Sequence, residues 1–160
     1  MSRFTAPLIV TPLDDGRTWV IVTDGFGYDV GEKGSGDTIE VPQGMTTNFA
    51  SVPRAAWWFA APWGKHGHAA VVHDAGYWLQ KRSRKEYDDI FLEGMAVLGV
   101  GRAKRRIMFL AVRWFGGPAW RNSARRTEED PSWKLYDTEG LEQLRADAEQ
   151  AATRAESPTQ

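Results

Sequence analysis

Three histidines, His66, His68 and His73, lie within eight residues of one another, and Asp74 follows the last of them directly. An imidazole changes charge near neutral pH, so it can take a proton from water as a general base. A carboxylate can orient such a ring or ligate a hard cation such as calcium. On a helix, neighbouring side chains diverge by about 100°, so Asp74 is not expected to form a dyad with His73. The partner must come from elsewhere, and the nearest acids are Asp88 and Asp89. If Asp88 accepts the Nδ1 proton of His73, Nε2 is left to activate water. Asp74 is then available as a cation ligand, with carbonyls of residues 62–65 completing the shell.

That geometry needs two facing helices. Ala69, Val72, His73, Gly76 and Tyr77 fall at helical spacing and put His73 on the buried stripe of a first helix. Ser83 and Glu86 form a capping box, and Tyr87, Ile90, Phe91, Gly94, Val97 and Leu98 continue a second helix until Gly99. A third helix is predicted from about Arg102 to Phe115. Its stripe of Ile107, Leu110, Ala111 and Trp114 should face inward, and Gly116, Gly117 and Pro118 should end it. Upstream, Leu8–Val10 and Thr18–Val22 suggest a hairpin, and Thr38–Val41 a further strand, giving a small antiparallel sheet within the first 53 residues.

Each candidate also has a bland reading. His73 on an apolar stripe could be a hydrogen-bonded core histidine, and Asp88 an acid favoured by the helix dipole. His66 and His68 flank a glycine in a loop, which suggests surface placement. Asn48 and Ser51, in the run from Thr46 to Arg54, could support the site, although side-chain bonds to a tight turn explain them equally. Ser51 lacks the Gly-x-Ser-x-Gly surround of a nucleophile elbow. Trp57, Trp58, Phe59 and Trp63 form an aromatic cluster, part core and part potential docking patch.

Thr47-Asn48-Phe49-Ala50-Ser51-Val52-Pro53-Arg54, Pro62 with Gly64, the run Ala69 to Asp74, and Asp88 with Phe91 and Met95 together resemble the phage and prophage family called domain of unknown function 1353. The resemblance covers roughly residues 40–116. That family usually has aspartate where this chain has Asn48, which removes a charged role from the position. The resemblance implies a viral or prophage origin and no settled activity. More locally, His73, Asp74, Tyr77 and Asp88 are similar to the helix pair of secreted calcium-dependent phospholipases and their bacterial relatives. That likeness implies His73 as base, Asp74 as calcium ligand, Tyr77 as support and Asp88 as the acid that orients the histidine. The chain has no cysteine and no recognisable glycine-rich calcium loop.

The 160 residues are 42% apolar, with eight tryptophans and seven phenylalanines, enough for one packed domain. The absence of cysteine excludes disulfides, thiolate zinc sites and thiol nucleophiles. The net charge of −1 conceals segregation: residues 1–60 carry −3, residues 61–126 carry +8 and residues 127–160 carry −6. Arg102, Lys104, Arg105 and Arg106 crowd the start of the third helix, where positive charge opposes the dipole. This favours an anionic partner, and the acidic tail is a sufficient one. No nucleic-acid module is recognisable.

The expectation is therefore an α+β chain. A small N-terminal antiparallel sheet packs on a three-helix segment within residues 1–126, followed by an acidic linker and helical arm over 127–160. The arm either docks on the basic middle or frays. Without a signal-like start or a long apolar run, the chain is expected to be made in the host cytoplasm and to have no membrane span. Functionally it reads as a virion-associated phage protein with a His73/Asp88 hydrolase-like site, supported by Tyr77, Asn48, Ser51 and Asp89. It would act on a cell-envelope ester or amide. The alternative is a non-enzymatic tail or head assembly protein that binds other virion proteins and uses the same contacts structurally.

Overall fold

The computed structural model describes residues 3–13, 18–47, 64–124, 136–144 and 146–147. The α+β class is as expected, with the strands forming two small antiparallel sheets. Strands β1 (Val10–Pro12) and β2 (Trp19–Ile21) pair with Val10 opposite Ile21, and β5 (Thr46–Thr47) joins the other edge of β2 with Trp19 opposite Thr47. Strands β3 (Gly27–Asp29) and β4 (Thr38–Glu40) form the second sheet. Asp29 closes their loop by accepting from the Gly34 N–H at 2.8 Å and the Thr38 hydroxyl at 2.7 Å. Val20, Ile21, Phe26, Tyr28 and Ile39 point into the core, so these short strands hold together through the helices they cover.

Helix α1 (Gly67–Leu79) is the centre of the molecule, buried continuously from Ala69 to Tyr77. A helix enclosed on all sides must have small residues where neighbours approach. Gly76 supplies one such place, because a Cβ there would overlap the ring of Tyr87 on α2 (Arg84–Val97). Gly94 supplies another, where an added Cβ would lie 3.2 Å from that of Ala69. Helix α1 ends at Gln80 in the left-handed conformation. Helix α2 begins with the expected capping box: Ser83 accepts from the Glu86 N–H and the Glu86 carboxylate accepts from the Ser83 N–H at 2.9 Å.

Helix α3 (Arg102–Phe115) has the expected span but the opposite rotation. Met108 and Val112 are its buried residues, whereas Ile107 is 45% and Trp114 70% exposed, and Leu110 and Ala111 are half-buried. Spacing alone could not choose, since Met108 and Val112 border the same broad apolar arc; the rotation that buries them also lets the neighbouring Arg113 reach a buried carboxylate. The helix ends at Gly116 as expected, but the chain does not leave helical structure there. A further helix, α4 (Gly117–Ala124), starts there, with Pro118 in the first turn, where a missing N–H costs nothing. Trp120 of α4 packs edge-on against Tyr77 at 5.1 Å.

Of the acidic arm, residues 138–144 and 146–147 are helical. Its start is capped by Asp137, which accepts from the Gly140 N–H at 2.8 Å. The arm is tied to the sheet end of the molecule: the Tyr136 N–H donates to the Gly44 carbonyl at 2.9 Å, and Leu141 is buried. Gly44 has φ +81°, and any side chain there would meet the Tyr136 backbone. The remainder of the arm lies outside the described residues.

Replacing Gly76 by alanine forces the α1–α2 contact apart. Gly76→Ala is expected to lower stability by about 1–3 kcal/mol, read as a reduced thermal midpoint; an unchanged midpoint would show that the helices are not held at this separation.

Candidate functional site

Helices α1 and α2 place His73, Tyr77 and Asp88 on facing surfaces at the centre of the fold. The imidazole Nε2 lies 3.1 Å from Asp88 Oδ1, and the Tyr77 hydroxyl donates to the same oxygen at 2.8 Å. The other oxygen, Oδ2, accepts from Arg113 of α3 at 3.1 Å and has Arg84 at 3.6 Å. Arg84 also donates to the carbonyls of Val112 and Arg113, at 3.3 and 3.1 Å, so it braces the end of α3 against α2. Asp88 is fully buried, yet both its oxygens are occupied, the condition under which a buried carboxylate can stay ionised.

The His73–Asp88 pairing is thus present, with the ring turned the other way from the expectation. Nε2 faces Asp88, and Nδ1 faces Asp74, whose Oδ1 is 4.0 Å away. At that distance Asp74 makes no direct hydrogen bond to His73. Asp74 itself is buried and accepts from the Thr47 hydroxyl at 2.6 Å, joining α1 to β5. His73 is only 3% exposed, with Tyr77 and Phe91 against its faces at centroid distances of 4.2 and 4.9 Å. The nitrogen expected to be left free to activate water is therefore enclosed.

Electrostatics follow from this enclosure. Burial disfavours the imidazolium of His73, but the carboxylates of Asp74 and Asp88 outweigh it and hold its pKa above the ordinary value. Burial likewise pushes Asp88 up, and the bonds from His73, Tyr77 and Arg113 reverse this, leaving its pKa below the ordinary value. Burial, reinforced by Asp88, raises Tyr77, so its hydroxyl stays protonated and can only donate to the acid. With Asp88 ionised, Nε2 carries the proton and Nδ1 is the nitrogen that gains or loses one.

Other expected site residues fall elsewhere. Asp89 is a correction: it points outward and pairs with Lys85 at 2.7 Å, one turn back on α2. Asn48 and Ser51, and the aromatic cluster from Trp57 to Trp63, lie outside the described residues. His66 is buried and His68 half-buried against Phe4 and Phe26, so neither has the surface place expected of it. The reading from sequence missed Arg84, Arg113 and Thr47. Arg84 could have been found, since it stands four residues before Asp88, the spacing of a helical ion pair. Arg113 had no such signal. Among the described residues, no group of three or more histidine, aspartate or glutamate side chains is placed to hold a metal ion.

Two measurements probe the network. Asp88→Asn leaves Arg113 and His73 without their buried counter-charge and is expected to cost roughly 3–5 kcal/mol of stability, read by urea unfolding; a cost below about 1 kcal/mol would mean the carboxylate is not ionised. Because the folded pKa of His73 is raised, the stability it contributes is complete below the unfolded value of about 6.5 and is lost as pH rises through the folded value. The wild-type thermal midpoint should therefore fall more steeply above pH 6.5 than that of His73→Gln, and equal slopes would contradict the assignment.

No curated protein and no solved structure shows a significant match to the chain. The family described as "Protein of unknown function (DUF1353)" matches residues 18–112, which contain β2 to β5, α1, α2 and most of α3. That span is well over half of the sequence and includes every polar partner of His73 and Asp88 described above except Arg113, so the chain belongs to the DUF1353 family.

Proposed function

We propose that this chain is a hydrolase of esters or amides in which His73 acts as general base through Nδ1. The carrying observation is that Asp88, fixed by Tyr77 and Arg113, grips Nε2 and so presents Nδ1 toward Asp74. A gap of 4.0 Å between Nδ1 and Asp74 Oδ1 is too long for a direct hydrogen bond, and the reading assigns the attacking water to Nδ1 on this side of the ring. In this reading Nδ1 takes a proton from that water as its oxygen attacks the acyl carbon. The imidazolium, stabilised by Asp88, then returns the proton to the departing alkoxide or amine as the C–O or C–N bond breaks. Calcium is an optional participant: Asp74 would be its carboxylate ligand, with backbone carbonyls of residues 62–65 as the others, and its role would be to polarise the acyl oxygen. The proposed setting is a phage virion, with a cell-envelope ester or amide as substrate.

A second reading is favoured by the near-complete burial of His73 and Asp88. Here the network only locks α1, α2 and α3, and the chain is a non-enzymatic component of a phage tail or head.

Hydrolysis of a panel of acyl esters and amides, with calcium and with chelator, separates the two. The hydrolase reading expects kcat/KM to rise with pH through a value above the ordinary histidine range, and His73→Ala to lower it by about 10²–10⁴-fold. No wild-type turnover on any member, or turnover unaffected by His73→Ala, overturns it. The structural reading instead expects that variant to lose thermal stability and particle assembly together.

A further inference from the structure

We propose that the exposed side of α3 is a docking surface for an anionic lipid bilayer. The inference rests on α3 alone and holds whether or not His73 is catalytic. Ala103, Ile107, Leu110 and Trp114 recur at helical spacing and form one stripe, extended at its end by Phe115. Ile107, Trp114 and Phe115 are 45%, 70% and 62% exposed, three of the four large apolar side chains most open to solvent among the described residues. Exposed aromatics concentrated on a single helix need a covering partner.

The charge on the same helix says what kind. Helix α3 has five basic residues and no acidic one. Arg113 is engaged with Asp88. Among the described residues, no carboxylate lies within ion-pair distance of Arg102, Lys104, Arg105 or Arg106, while Arg3, Arg82, Arg84 and Lys85 all have acid partners. Arg102 and Arg106, one turn apart and both exposed, border the apolar stripe. An apolar face with tryptophan, phenylalanine, isoleucine and leucine, edged by unpaired arginines on a helix with no acidic residue, is the composition that rests in the headgroup layer of an acidic membrane.

Other occupants fit less well. A second copy of α3 would set unpaired arginines against one another. The described part of the chain's own acidic arm is engaged elsewhere, fastened near Gly44 by Tyr136 with Leu141 already buried. The face lies flat along α3 and needs no span, in keeping with the finding that no described helix is long and apolar enough to cross a membrane.

Flotation of the full chain with phosphatidylcholine vesicles, and with equimolar phosphatidylcholine and phosphatidylglycerol vesicles, tests this. Binding should appear on the acidic vesicles, be about tenfold or more weaker on the neutral ones, and decline with added salt. The double variants Trp114→Ala with Phe115→Ala, and Arg102→Glu with Arg106→Glu, should each weaken it by at least about tenfold with an unchanged thermal midpoint. The proposal is overturned if wild type does not float with acidic vesicles, or if both double variants bind as wild type does. It is equally overturned if the chain self-associates on gel filtration in a Trp114-dependent manner without binding vesicles, which would make α3 a protein interface.

Discussion

A carboxylate with no access to water must be neutralised where it stands, and Asp88 is the point on which three helices satisfy that requirement. Its oxygens receive His73 and Tyr77 from α1 and Arg113 from α3, with Arg84 of its own helix close by. Removing Asp88 itself leaves charges that the interior cannot solvate. The arrangement explains why α3 presents Met108 and Val112 to the core: placing Arg113 beside Asp88 fixes the rotation of the helix, and the apolar residues that follow from that rotation are the ones buried. Packing then adapts to the ion network through glycines, Gly76 under Tyr87 and Gly116 beside the Tyr77 hydroxyl.

The same network gives His73 a defined chemical state. Held at Nε2 by one acid and faced at Nδ1 by another, the ring has a single tautomer when neutral and two anionic neighbours when charged. Thr47 extends this order to the sheet by holding Asp74, so side chains of β5, α1, α2 and α3 are joined through the two acids that flank one imidazole. Such convergence is costly to assemble in an interior otherwise made of Val71, Val72, Phe91 and Met95.

What could be read from the sequence follows the range of the interactions involved. The capping box of Ser83 and Glu86, the spans of α1 to α3 and the meeting of His73 with Asp88 are local or depend on one short turn, and each leaves a periodic or spaced trace. The orientation of the imidazole left none, because both nitrogens of a ring between two acids are equally plausible from spacing. Nor did the rotation of α3, where a wide apolar arc offered Ile107 and Trp114 as readily as Met108 and Val112. Helix α4 was hidden by Gly116, Gly117 and Pro118, residues that stop one helix and equally start the next. Arg113 and Thr47 are partners across distant elements, and long-range pairing of this kind has no signature in a single chain.

The dependence of Asp88 on Arg113 sets an order of events during synthesis. The α1–α2 hairpin emerges from the ribosome complete while its central acid still lacks a cation from α3, and at about 5–20 residues per second the missing arginine follows roughly one to three seconds later. Until then the nascent hairpin must keep that acid hydrated or protonated, so it cannot close tightly. Translation of α3 is therefore the step that commits the chain to its final packing.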